Sequence, residues 1–203
     1  MQTINEDIKS GQYKKVYLLY GEESFLKQSY KKKLKEAVAG DDTMNYNYFE
    51  GKGLDVNELI SLSDTMPFFS DKRLIIIEDS GFFKTSSEAL ADYLPMIPDT
   101  TCIVFVEDAV DKRNRLFKKV KELGHAAEMK RQDSAQLARW AGTILAQNGR
   151  KITGSTMNLF LERTGDDMEN IRMELEKLIS YTMGSDVVTT EDVEAVTTVQ
   201  VTN

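Results

Sequence analysis

The chain has a single cysteine, a single histidine and no apolar run of membrane-spanning length. Each scarcity removes a class of chemistry. With Cys102 alone, no intrachain disulfide can form, which fits a reducing cytoplasm. With His125 alone, histidine-based zinc clusters and two-histidine iron sites are excluded, and no metal or cofactor is expected. Cys102 lies inside an apolar run and reads as a buried, inert thiol, which argues against a Cys102–His125 dyad. The longest apolar runs, Val16–Tyr20, Leu74–Ile77 and Cys102–Val106, are strand-sized. Residues 1–12 are polar and carry no secretory pattern. A cytoplasmic protein with no membrane partner is the expectation.

What is present is ordinary for a globular chain: 203 residues, 41% hydrophobic and 29% charged, enough for one large domain or two small ones. The net charge of −7 argues against strong independent binding to DNA, which draws on lysine and arginine. Two basic clusters, Lys31–Lys35 and Lys112–Lys121, read as solvated helix faces.

Strands and helices alternate along the first part. Val16–Tyr20, Tyr46–Phe49, Leu74–Ile77, Cys102–Val106 and Ala126–Met129 read as strands, the third central and the last an edge. Helical spacing falls on Phe25–Val38, with Ser24 as its N-cap and Gly40 closing it, and on Asp55–Thr65, Ser86–Leu94 and Asn114–Leu123. This predicts an α/β domain with a mostly parallel sheet over residues 1–131. From 132 to 203 the pattern is helical only: Ser134–Gln147, Ser155–Arg163, Met168–Met183 and Glu191–Val196, with no strand signal between them. A small helical bundle is the second predicted unit, and Val199–Asn203 end without a terminal element.

In phosphate-binding members of such sheets, a glycine-rich loop and a Lys-Ser or Lys-Thr pair follow the first strand. Here the residues are Gly21-Glu22-Glu23-Ser24-Phe25-Leu26-Lys27. One glycine survives, Glu22 and Glu23 replace the cradle, and no second glycine precedes the lysine. Two carboxylates at that place repel a triphosphate, so Gly21 reads as a strand-ending turn. Glu78-Asp79 resembles the acidic pair that ends a hydrolase strand, but without a cradle it has no substrate to act on. Glu107-Asp108 has the same bland character. No catalytic residue is identified.

The segment Ser63–Arg73 is more informative. Pro67 ends the helix before it, which leaves Phe68 and Phe69 in a non-helical turn beside Met66. Two adjacent aromatics do not easily enter one core from such a turn, so at least one is expected at the surface as a docking group. The plainer alternative is that both fold back beneath the sheet.

Val16–Gly21 followed by Glu22-Glu23-Ser24-Phe25-Leu26 resembles the opening of the bacterial DNA polymerase III delta subunit family, which has a clamp-loader fold of the AAA+ type with a degenerate phosphate loop. Met66–Leu74 resembles that family's clamp-contacting element, in which an apolar pair enters a pocket of the ring-shaped β sliding clamp. The family commonly has Leu-Phe there; Phe68-Phe69 keeps the apolar bulk. Gly165–Met168, Ile171, Glu174–Leu178 and Trp140 are similar to the second domain. The resemblance implies a non-enzymatic subunit that binds and opens the clamp through Met66, Phe68 and Phe69. Its partners would be the other clamp-loader subunits, gamma/tau and delta prime, with ATP used by sibling subunits and DNA engaged through the assembly. It also implies a third, oligomerising domain, which this chain ends before. Two other readings stand beside it: an active nucleotide hydrolase with an unusual loop, and a direct DNA binder using either basic cluster.

Overall fold

A computed structural model describes residues 2–85 and 87–198. The chain divides after Lys130 into two compact units.

The first unit is a five-stranded sheet flanked by helices. Its strands are β1 (Val16–Tyr20), β2 (Tyr46–Glu50), β3 (Arg73–Glu78), β4 (Thr101–Glu107) and β5 (His125–Glu128). They lie in the order β2-β3-β4-β1-β5, and every neighbouring pair is parallel. Parallel strands buried on both faces require near-continuous apolar runs, which β1, β3 and β4 supply. In register, Ile75 sits beside Ile103 and Ile77 beside Phe105, which in turn pairs with Leu18. These residues face a core completed by Leu59, Leu90, Leu116, Phe117 and Val120 from α3 (Val56–Asp64), α4 (Glu88–Tyr93) and α5 (Arg115–Leu123). The alternate residues of the strands are covered by α2 (Ser24–Val38), which packs on β1, β3 and β4 through Leu26, Tyr30 and Leu34.

Three local features differ from the sequence reading. A helix, α1 (Gln2–Ser10), forms in the stretch read only as a polar N-terminus. Its anchors are the buried Ile4 and Asp7, whose carboxylate accepts the Tyr17 hydroxyl at 2.8 Å. The cap of α2 is Glu23 rather than Ser24, which is the first helical residue. The helix placed at Ser86–Leu94 is described only as Glu88–Tyr93, with Pro95 in the 3-10 turn Leu94–Met96 that follows; Ser86 lies outside the described residues.

The second unit contains α6 (Ser134–Gln147), α7 (Gly154–Thr164), α8 (Met168–Tyr181) and α9 (Thr190–Val196). Leu137, Ala141, Leu145, Phe160, Ile171, Leu175, Leu178 and Val193 form its core at helical spacing. Two helix starts are sealed reciprocally, Asp133 with Gln136 and Thr189 with Asp192. A short parallel pair, β6 (Lys151–Ile152) with β7 (Val187–Val188), departs from the all-helical expectation. Two-residue strands leave no periodicity to read. Residues 199–203, read as a stretch without an element, lie outside the described residues. Among the described residues no helix is long and apolar enough to cross a membrane.

Candidate protein-docking loop and a closed phosphate site

The helix after β1 covers one face of the sheet and the helices after β3 and β4 cover the other, so the topology switches between the neighbours β1 and β4. Ligands of open parallel sheets bind outside the carboxyl ends of the strands at that point. Here backbone amides at that place bond within the protein itself. Gly21 has φ of 122°, and a Cβ there would stand 2.4 Å from the Met129 carbonyl oxygen. Its N–H donates to the Glu107 carbonyl at 3.2 Å, and the Glu23 N–H donates to the Met129 carbonyl at 3.0 Å. The Glu23 carboxylate accepts the Phe25 N–H, so the positive end of α2 already faces an anion. Amides that would cradle a phosphate are therefore spent inside the fold.

Lys27 stands six residues after Gly21, the spacing of the lysine in a functional phosphate loop. Its side chain is buried and its ammonium donates to Asp108. Glu78, at the end of β3, is likewise occupied: Lys31 and Gln28 each donate to it at 3.0 Å and the Tyr48 hydroxyl at 2.6 Å. Burial works to raise the Glu78 carboxyl, but these bonds outweigh it and hold the group below its ordinary value. Glu107 is raised by burial, against the hydrogen bonds from Ser80. A cleft of about 240 Å³ remains, walled by Glu50, Glu78, Asp79 and Asp108 with Lys27 as its cation. That charge balance opposes a triphosphate. Among the described residues no group of carboxylates, cysteines or histidine has the disposition to hold a metal ion.

The loop between α3 and β3 has the opposite character. Met66, Phe68 and Phe69 are 73%, 55% and 94% exposed. Both aromatics of the pair are thus at the surface, against the alternative of burial beneath the sheet. The rings meet edge to face with centroids 4.3 Å apart. Phe69 holds φ at 53°, the left-handed region that a bulky residue rarely adopts.

Two buried polar side chains fasten this loop, and neither was singled out from the sequence. Asn45, just before β2, accepts the Phe68 N–H at 2.7 Å and donates to the Phe68 carbonyl at 2.8 Å. It also donates to Asp42 at 2.7 Å. Arg73, the first residue of β3, reaches back to the Thr65 carbonyl at 3.2 Å and across to Asn47 at 3.0 Å. Only an asparagine placed three residues after an aspartate hinted at the first.

The basic clusters are partly compensated. Lys31 pairs with Glu78, and Lys35 donates to the Gly40 carbonyl. Lys112 pairs with Glu128, Arg113 with Asp111, Arg115 with Glu88 and Asp92, and Lys119 with Glu122. These acidic partners lower the net charge that either cluster offers a phosphate backbone.

The profile of the family described as DNA polymerase III, delta subunit, matches residues 17–130, more than half of the chain. The chain belongs to this family. The delta-family chain is 21% identical over 202 residues to DNA polymerase III subunit delta of Bacillus subtilis, covering 93% of this chain and 58% of the relative. It is 23% identical over 194 residues to the probable DNA polymerase III subunit delta of Aquifex aeolicus, covering 90% of this chain and 54% of the relative. The chain therefore spans somewhat more than half the length of these relatives. In structure, it is similar to the Bacillus subtilis DNA clamp loader delta protein with a TM-score of 0.78 at 20% identity, over 98% of this chain and 62% of that one. A variant of Thermotoga maritima RuvB is similar at a TM-score of 0.54 and 12% identity, over 96% of this chain and 65% of that one. The fold of the delta-family chain is thus of the AAA+ type, with a parallel sheet followed by a helical unit.

Proposed function

We propose that this clamp-loader delta chain binds the β sliding clamp through Met66, Phe68 and Phe69 and stabilises an opened state of the ring. The observation that carries the reading is an exposed aromatic pair on a loop fastened from beneath by Asn45 and Arg73. Exposed aromatics with little freedom left to lose are the groups that dominate protein interfaces. A binder that prefers the open ring shifts its equilibrium by the difference in affinity, and this requires no hydrolysis in the same chain. In this reading the chain has no catalysis of its own and needs no cofactor. The chain's partners are subunits of the gamma/tau and delta prime type, ATP is used by sibling subunits, and DNA is reached through the assembly. The first unit carries clamp binding, and the second the lid-type helical domain.

The test replaces Phe68 and Phe69 together with alanine and measures binding of the chain to its cognate clamp. Burying both side chains contributes about 3–6 kcal/mol, at roughly 1.5–3 each. The double variant is expected to weaken binding by about two to four decades in Kd. Its melting temperature should stay at that of the parent, because both rings are exposed. Parental affinity for the clamp would remove these residues from the interface.

A further inference from the structure

We propose that Asn45 is a positioning residue for clamp docking: it sets the direction in which Phe68 and Phe69 leave the surface. The inference rests on the reading of these aromatics as the docking element. Among the described residues, no backbone–backbone hydrogen bond holds residues 66–72. The loop has no internal backbone ladder, and beyond the Ser70 hydroxyl donating to the Lys72 carbonyl at 3.4 Å much of its fastening comes from outside it. Asn45 is 1% exposed and bonds both the N–H and the C=O of Phe68. Those two groups belong to the peptide planes on either side of that residue, so one amide side chain fixes both planes. The plane it fixes on the far side leads directly into Phe69 and its left-handed turn.

Asparagine suits the task because its amide offers an acceptor and two donors in a peptide-like arrangement. An aspartate lacks the donors, and an apolar residue lacks both. Asn45 is itself held by Asp42, which accepts its backbone N–H at 3.0 Å and its side-chain amide at 2.7 Å. Its own carbonyl accepts the Leu74 N–H at 2.8 Å, tying it to the start of β3. The clasp therefore joins the loop after α2, the docking loop and a core strand.

The test measures clamp binding and hydrogen exchange of the Phe68 amide for N45A, N45D and D42A in the 203-residue chain. D42A changes a partly exposed side chain and keeps the chain folded if the buried substitutions do not. The expected result is loss of Phe68 amide protection for N45A and D42A and its retention for N45D, whose carboxylate still accepts that N–H, with clamp affinity about ten-fold weaker for N45A and N45D and about three-fold weaker for D42A. In an F69A background, N45A should cost about three-fold or less, because one of the two rings it orients is gone. Parental affinity despite lost Phe68 protection would overturn the proposal. So would an affinity loss of equal size in both backgrounds, which marks a general structural effect. Parental affinity for D42A with its Phe68 amide deprotected is the overturning result if N45A and N45D fail to fold. If the F68A/F69A double variant binds normally, it is the docking reading that fails, an outcome separate from any result at Asn45.

Discussion

Phe69 combines 94% exposure with φ of 53°, and neither property stabilises a free chain. Left-handed backbone costs a non-glycine residue about 1–2 kcal/mol, and strain of this kind persists where surrounding structure over-determines it. Glycine removes the strain but adds unfolded-state entropy of about 0.5–1 kcal/mol. Phe69→Gly is therefore expected to melt no lower than the parent while losing clamp affinity, a pairing that thermal melting and equilibrium binding would establish together. Asp42 supplies a second residue-level test. Hydrogen bonds from the Asn45 side chain and backbone, and then from Met44, hold its carboxyl below the ordinary value of 3.8. A carboxyl lowered by folding contributes stability above its unfolded value, and the contribution is lost as pH falls through the lowered folded value. The Asn45 side-chain amide and the Phe68 amide should titrate together by NMR with a midpoint below 3.8, and Asp42→Asn should abolish that titration. Their independent behaviour would dissolve the clasp.

At the scale of elements, the readable parts of the sequence were those with one strong cause. The β-branched run Leu74–Ile77 and the apolar run Cys102–Val106 became central strands because burial on both faces demands such runs. Helix α1 escaped because its burial rests on Ile4 and Asp7 in a polar stretch. Strands β6 and β7 escaped because two residues define no period. The α2 cap was misplaced by one residue because Glu23 and Ser24 both offer a side-chain oxygen, and the chain turns at the glutamate. The candidate site divides in the same way. Met66, Phe68 and Phe69 were legible as apolar groups flanking a helix-ending proline. Asn45 lies 23 residues from Phe68, and no local pattern joins them. Where a cap is legible its weight is testable: Asp133 seals α6 in a reciprocal box with Gln136. Asp133→Ala should destabilise the second unit by about 1 kcal/mol, read as a lower denaturant midpoint with an unchanged slope. No change in midpoint would assign the start of α6 to packing alone.

Across the whole molecule, the same sheet carries a phosphate position closed by inward hydrogen bonds and the proposed docking loop. The carboxyl ends of β1, β3 and β4 converge where a nucleotide would lie, yet Gly21 and Glu23 bond inward and Lys27 is buried against Asp108. A lysine at phosphate-loop spacing is therefore no sign of nucleotide binding here, since its charge is already matched. The hydrolase reading makes a contrary demand that a single melt can meet. A site with micromolar affinity, given millimolar Mg-ATP, stabilises the folded chain by about 4 kcal/mol. For a chain of this size that raises the melting temperature by roughly 8–16 °C, at about 2–4 °C per kcal/mol. The expected shift is none. A rise of that size would revive the hydrolase, and its loss in a Lys27→Ala variant would locate the nucleotide at this loop. If instead the rise persisted in Lys27→Ala, the nucleotide would lie elsewhere and the closed loop would stand.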